Sequence, residues 1–241
     1  MRVLVIVPAL NEAMSIASVI DSLRRNAPGC DVAVVDDGST DGTAAIAASL
    51  DVVVLRSPIN LGIGGAVQTG YLWARERGYD VAVQIDGDGQ HEPRYIAVAL
   101  ALVERGEADL VVGSRFIEAG GFRSTALRRA GIRYLSWLLR LRCGARVTDP
   151  TSGFRVAGRR ALELFADHYP SDYPEPESIA MAVRTGLRVR EVAVRMRQRE
   201  HGRSSINVLR TVYYLAKVSM ALMLLPARAR PAAAKDGVAS S

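Results

Sequence analysis

Five short apolar runs punctuate the first half of the chain, at residues 3–7, 31–35, 52–55, 81–85 and 110–112. They are rich in valine, isoleucine and leucine and lack the apolar–polar alternation of a half-exposed strand, which is the pattern of strands covered on both faces. Between them, residues 11–26, 40–50, 60–78 and 95–105 repeat apolar positions at helical spacing; Ile16, Val19, Ile20 and Leu23 form one such stripe, with Glu12 in its first turn. Strands in regular alternation with helices predict an α/β fold, a mostly parallel, Rossmann-like sheet with helices on both faces. Ligands bind such sheets beyond the carboxyl ends of the strands. A polar cluster follows four of the five runs: Pro8 to Glu12, Asp36 to Ser39, Asp86 to His91, and Gly113-Ser114-Arg115. Four clusters on one edge predict a site there.

The second half is less regular. Residues 128–142 read as a helix mixing Ile132, Leu135, Trp137, Leu138 and Leu141 with several arginines. Residues 148–155 read as a polar turn, 161–165 as a short helix, and 173–177 as the opening of a helix that runs to Gly186; 189–194 reads as a further strand. Residues 206–225 are strongly apolar, interrupted by Arg210 and Lys217, and a Pro/Ala/Arg tail follows at 226–241. The chain therefore divides into one domain over residues 1–205, an amphipathic C-terminal helix over 206–225, and a tail expected to be disordered. No internal repeat is present.

The sharpest chemical signal is Asp86-Gly87-Asp88-Gly89-Gln90-His91. Two carboxylates one residue apart at a strand end can face one side, and the glycines let a ligand approach the backbone closely. Hard oxygen ligands beside an open position suit a divalent cation that shares its shell with a diphosphate. Asp-Gly pairs are also ordinary turn formers, so the motif on its own leaves both readings standing.

Composition narrows the picture only a little. With 49% hydrophobic and 23% charged residues the chain is that of a folded protein. Its net charge of +6 comes almost wholly from arginine, which suits bidentate phosphate contacts. That excess is compatible with phosphorylated substrates, anionic lipid or nucleic acid. Cys30 and Cys143 are isolated, which speaks against a structural zinc site and for a reducing compartment. Met1-Arg2 leads straight into a strand without a secretory signal, so a cytoplasmic location is expected.

Six motifs together carry a resemblance: Val7-Pro8-Ala9-Leu10-Asn11-Glu12, Val35-Asp36-Asp37-Gly38-Ser39-Thr40-Asp41-Gly42-Thr43, Asn60-Leu61-Gly62, Asp86 to His91, Gly113-Ser114-Arg115-Phe116, and Ser152-Gly153-Phe154-Arg155. In this order over residues 3–205, the chain resembles glycosyltransferase family 2, enzymes of GT-A fold that use nucleotide-sugar donors. Within that family it is most similar to polyprenyl-phosphate glycosyltransferases of the dolichol-phosphate mannose synthase type. The resemblance implies an inverting transfer from a UDP- or GDP-sugar to a polyprenyl phosphate of undecaprenyl or dolichyl type, serving cell-envelope glycans, with Mg²⁺ or Mn²⁺ as cofactor. It implies nucleotide-sugar contacts from Pro8, Asn11, Glu12, Asp36, Asp37, Ser39, Gly64, Asp86, Gly87, Arg115 and Arg199, and metal ligation by Asp86, Asp88 and Gln90. It further implies catalytic roles for Asp88, Asp149 and Arg115, and an acceptor side formed by Ser152, Arg155 and Arg203.

Two departures limit what carries over. The type's usual Gly-x-Ser-Lys is here Gly202-Arg203-Ser204-Ser205, one cation short, and Tyr173-Pro174-Glu175-Pro176-Glu177 is closer to bacterial envelope-polysaccharide relatives. Mannose is therefore not implied. Asp149 has two readings: the general base of enzymes that act on sugar hydroxyls, or an Asx-turn residue before Pro150. A phosphate acceptor is already ionised and needs no base.

Rival functions are transfer to a saccharide hydroxyl and formation of a sugar nucleotide. The latter calls for a glycine-rich, basic loop that residues 7–12 lack. A non-enzymatic nucleotide-binding subunit is disfavoured by the intact carboxylate pair. Arg210 and Lys217 lie seven apart on the 206–225 stripe, which suits a helix lying in a membrane surface better than one crossing it; packing on protein is the competing reading. The expected partners are thus the donor, the lipid phosphate, a membrane surface and a small integral membrane protein or a second copy, and not nucleic acid. The expected place is the cytoplasmic face of the membrane.

Overall fold

A computed structural model describes residues 1–117, 125–197 and 208–224. Seven strands form one sheet: β1 (Val3–Ala9), β2 (Asp31–Asp36), β3 (Val53–Arg56), β4 (Val81–Gln84), β5 (Leu110–Ser114), β6 (Arg155–Gly158) and β7 (Val189–Ala193). Their order is β3-β2-β1-β4-β6-β5-β7. All neighbours are parallel except β6, which runs antiparallel to both β4 and β5.

The helices are α1 (Ile16–Asn26), α2 (Thr43–Ala48), α3 (Gly62–Glu76), α4 (Tyr95–Glu104), α5 (Ala126–Cys143), α6 (Arg159–Asp167), α7 (Pro174–Arg184) and α8 (Val208–Leu224). Strand β1 explains why the runs look uniformly apolar. Leu4 and Ile6 enter one core with α3, α5, α6 and α7, whereas Val3, Val5 and Val7 enter a second core with α1 and α4. A strand buried on both faces has no polar side to display. Helix α3 lies so close to the sheet that a β-carbon on Gly70 would sit 2.3 Å from Ile6.

The mostly parallel sheet with helices on both faces is as expected, and β6 is the correction. Residues 148–155 read as a turn, yet Arg155 opens a strand, pairing Gln84 on β4 and Val112 on β5. Because β6 is reversed, its start lies at the same edge as the ends of β1, β2, β4 and β5. The loop that precedes it thus joins the polar clusters. Helix α1 starts at Ile16, since residues 10–15 form a turn in which Asn11 adopts φ 55°. The C-terminal stripe is helix α8, which buries Val218 and Leu222 against the α5–α7 side. The 226–241 tail lies outside the described residues.

Candidate active site

The β1, β2 and β4 ends meet first. Asp86 follows β4 with its side chain 35% exposed, and Asp88 is half-buried two residues on. Asp88 Oδ1 accepts the Gln90 N–H at 3.0 Å, which closes the turn through Gly89 at φ 76°. Gly87 is held by donation to the Pro8 carbonyl (3.2 Å), and its own carbonyl accepts from Ser15 Oγ at 2.8 Å. Ser15 Oγ also reaches Glu12 Oε2 at 2.8 Å, which links the first polar cluster to the carboxylate loop. The Gln90 side chain turns to the Arg197 carbonyl at 3.5 Å.

Among the described residues, no third His, Cys, Asp or Glu joins Asp86 and Asp88 as a metal-binding group. A donor set of two carboxylates is all-oxygen and incomplete by itself. That fits Mg²⁺ or Mn²⁺, whose remaining positions are filled by water and substrate oxygens. Gly153 sets how close the opposite wall comes: a β-carbon there would lie 2.6 and 2.8 Å from the two Asp86 carboxylate oxygens.

Beside this loop, Asp36 is fully buried; its Oδ1 accepts the Ser39 N–H at 3.1 Å. Its Oδ2 has no hydrogen-bond partner, although Arg56 Nε stands 3.4 Å away in an ion pair. A buried carboxylate oxygen left unbonded is an acceptor waiting for a ligand N–H or O–H. Asp37 Oδ1 instead accepts the Leu61 N–H at 2.7 Å. Ser39 Oγ accepts from the Asn11 backbone (2.9 Å), and Asn11 Oδ1 accepts from that of Thr40 (2.9 Å). Ser39, Asn11 and Asp37 therefore fasten the β1, β2 and β3 loops together around Asp36.

The β5–β6–β7 side is built differently. Arg115 grips Asp149 through two side-chain bonds (Nε–Oδ2 2.5 Å, Nη2–Oδ1 2.7 Å), and its backbone N–H adds a third at 3.2 Å. Their side chains are 3% and 0% exposed. Glu191 on β7 accepts the Thr148 and Asp149 backbone N–H groups at 2.8 and 3.0 Å, and burial pushes its carboxyl above the usual range. Arg155, 0% exposed, donates to the Ser152 carbonyl (3.2 Å), Ser178 Oγ (2.5 Å) and the Glu175 carbonyl (2.6 Å). Ser152 Oγ accepts the Phe154 N–H at 3.3 Å.

The family model of glycosyl transferase family 2 matches residues 4–165. The chain belongs to glycosyl transferase family 2. It is 36% identical over 216 residues to an undecaprenyl-phosphate mannosyltransferase of Micrococcus luteus, covering 86% of this chain and 88% of that protein. It is 31% identical over 210 residues to a UDP-N-acetylglucosamine–dolichyl-phosphate N-acetylglucosaminyltransferase of Methanococcus voltae, covering 79% and 83%. A crystal structure of glucosyl-3-phosphoglycerate synthase from Mycobacterium tuberculosis with Mn²⁺ and UDP-glucose superposes with TM-score 0.70 at 26% identity, covering 92% of this chain and 78% of that one. The protein is a GT-A glycosyltransferase.

In this family 2 enzyme the expected site residues separate into two groups. Pro8, Glu12, Asp36, Asp86, Gly87, Asp88 and Gln90 come together around the carboxylate loop. Other expected residues are held away from that loop. Asp149 is sealed from solvent and paired with Arg115. Arg155 bonds to the Ser152 carbonyl and to Glu175 and Ser178 on α7, and Ser152 Oγ bonds to the Phe154 backbone. Gly64 is explained by packing, since a β-carbon there would fall 2.1 Å from the Pro170 carbonyl. Arg199 and Arg203 lie outside the described residues.

In the sequence Ser15 and Glu191 look like ordinary surface residues. Glu175 belongs to no catalytic motif there, yet burial raises its carboxyl pKa and the charges of Arg155, Asp86 and Arg115 act on it. Its place at the head of α7, after Pro174, was the available signal.

Proposed function

We propose that this enzyme transfers a sugar from a nucleoside-diphosphate sugar to a polyprenyl phosphate at a membrane surface, with inversion at the anomeric carbon. Asp36 Oδ2 is read as the acceptor for a nucleoside N–H or O–H, with Pro8 and Glu12 beside it. Asp86 and Asp88 would hold the divalent ion, with Gln90 at the rim; when bound, the ion supplies Lewis-acid neutralisation of the leaving diphosphate. An oxygen of the lipid phosphate attacks C1 as the C1–O bond to the nucleoside diphosphate breaks. No proton has to be taken from that oxygen.

The observation that carries this reading is the sequestration of Asp149. The carboxylate that would serve as base for a hydroxyl acceptor is buried and ion-paired, while the fold and the donor-side carboxylates are intact. The relatives with polyprenyl-phosphate and dolichyl-phosphate acceptors support the same class, and the Mn²⁺–UDP-glucose complex supports the ion and donor. Because those relatives use different sugars, the donor sugar stays open.

Attachment to the membrane is supported by helices α5 and α8. Leu127, Tyr134, Trp137 and Leu141 line the outer side of α5, and Tyr213, Met220, Met223 and Leu224 that of α8, all at least one third exposed. No helix among the described residues is long and apolar enough to cross a bilayer. Two exposed apolar stripes, that of α5 interleaved with arginine, suit a helix pair seated in the headgroup region. Lys217, on α8, is ion-paired with Asp172 at the surface.

A second reading, transfer to a saccharide hydroxyl, rests on Glu175, whose raised pKa befits a general base. The deciding experiment incubates the enzyme and Mn²⁺ with radiolabelled UDP- and GDP-sugars, undecaprenyl phosphate and a mixture of soluble oligosaccharides as competing acceptors. Butanol-extractable label that is lost with chelator is the expected result. Label found only in water-soluble saccharide, and abolished in Glu175→Gln, would overturn the proposal in favour of the second reading.

A further inference from the structure

We propose that His91 is a positioning residue for the metal loop: its Nδ1 holds the Asp86 backbone N–H and so fixes the direction in which the Asp86 carboxylate leaves β4. The inference rests on the reading that Asp86 and Asp88 hold a divalent ion. Past the end of β4, the chain continues to bond to β1: Ile85 N–H donates to the Ile6 carbonyl at 3.1 Å and Gly87 N–H to the Pro8 carbonyl at 3.2 Å. The intervening Asp86 N–H faces the other way, toward the β6 side. Strand β6 begins at Arg155, opposite Gln84, so its ladder stops two residues short of Asp86. His91 Nδ1 takes the place of the missing strand partner, accepting the Asp86 N–H at 3.2 Å. A buried N–H demands such an acceptor.

The ring is held as a rigid acceptor should be. It is 4% exposed, sits edge-on to Phe154 with centroids 6.1 Å apart, and its backbone bridges Met196. With Nδ1 accepting, the ring proton is on Nε2, and that buried atom has no hydrogen-bond partner. An orphaned donor destabilises the fold. Packing on Phe154 would be served by a phenylalanine without that cost, so what distinguishes histidine here is Nδ1. The same nitrogen lies 3.8 Å from Asp86 Oδ2, which places the ring against the carboxylate whose aim it sets.

The test uses the full chain with His91→Asn, His91→Gln and His91→Phe. Asparagine carries an oxygen at the Nδ1 position, glutamine at the Nε2 position, and phenylalanine neither. Mn²⁺ affinity in the presence of UDP is read from the free-ion EPR signal, beside kcat, KM and Tm. Phe and Gln are expected to weaken Mn²⁺ binding about 10- to 100-fold, and Asn to stay within about threefold of wild type, the range typical of groups that orient metal ligands. Equal Mn²⁺ affinity in Asn and Gln variants overturns the inference, and that comparison stands even if the Phe variant does not fold. If wild type binds Mn²⁺ and every variant binds it equally well, the inference alone fails. If wild type binds none, the metal reading fails first and takes the inference with it.

Discussion

On the β1–β2–β4 side of the site, Asp86 is one third exposed and Asp36 buries an oxygen that has an Arg56 ion pair but no hydrogen-bond partner; on the β5–β6–β7 side, Arg115, Asp149 and Arg155 are buried and bonded to one another, to side chains or to main chain. Both sides hold the same residue types at the same sheet edge. The difference lies in how far their hydrogen-bonding capacity is satisfied internally. Polar groups left incomplete are available to a ligand, whereas a completed network fixes the shape of the wall facing it. Charge in a motif does not tell the two apart.

The largest effect is expected from breaking the completed side. Arg115→Ala would strand the Asp149 carboxylate at 0% exposure, and an uncompensated buried charge costs about 3–5 kcal/mol. Thermal unfolding should shift by roughly 10 °C for a chain of this size. The double variant Arg115→Met/Asp149→Leu should recover most of that loss, since an apolar pair can replace a buried ion pair. Asp149→Asn sharpens the comparison. Tm should fall in either case, since the buried pair is broken; if Asp149 only shapes the loop, kcat of the folded enzyme stays within about tenfold, whereas a required base would lose about 10²-fold or more.

The unequal legibility of the two sides in the sequence has the same cause. Strand runs, helix stripes and the carboxylate loop are local patterns, and β1 through β5 were readable because each contains at least three consecutive apolar residues. Strand β6 was not, as its four residues begin with a charged one, and Arg155 is buried only because Ser152, Glu175 and Ser178 supply acceptors from 3 to 23 residues away. The Arg115–Asp149 pair likewise spans 34 residues. Satisfaction across such separations is a property of the assembled fold. Ser15 and His91 were hidden for the same reason: one bonds across 72 residues, and the other makes a contact of ordinary turn spacing that acquires meaning only where β6 ends.

Gly153 is where the two sides touch, and its effect should be intermediate. Its backbone is not in the left-handed region, so alanine brings no backbone strain. The added methyl would meet the Asp86 carboxylate at 2.6 Å and push it aside. A short side chain can yield without unfolding the sheet, so Tm should hold. The carboxylate would no longer point where β4 sends it, and Mn²⁺ affinity and kcat/KM should fall about 10- to 100-fold. A Gly153→Ala enzyme with wild-type metal dependence would mean that the acceptor loop does not define the Asp86 position.

The smallest effect is expected at the opposite edge, where completion serves stability alone. Asp109, just before β5, accepts from the Arg188 backbone N–H (2.8 Å), Nε (3.0 Å) and Nη2 (3.1 Å), with Arg160 at 3.4 Å. The side-chain hydrogen bonds from Arg188 hold its carboxyl below the usual carboxylate range, with the backbone bond and the two guanidinium charges acting in the same direction against burial. A folded pKa below the unfolded value of about 3.9 means that the unfolded chain binds the proton first. The stabilisation is therefore complete above about pH 4 and is lost as pH falls through the folded pKa. Arg188 and Arg160 are 51% and 58% exposed, so solvent screens much of the pair, and Asp109→Asn should cost only about 1 kcal/mol at neutral pH. Denaturant titrations of variant and wild type should converge as pH drops below 4, with kcat unchanged at neutral pH. A gap that stays constant across that range would assign the loss to geometry rather than to the charge.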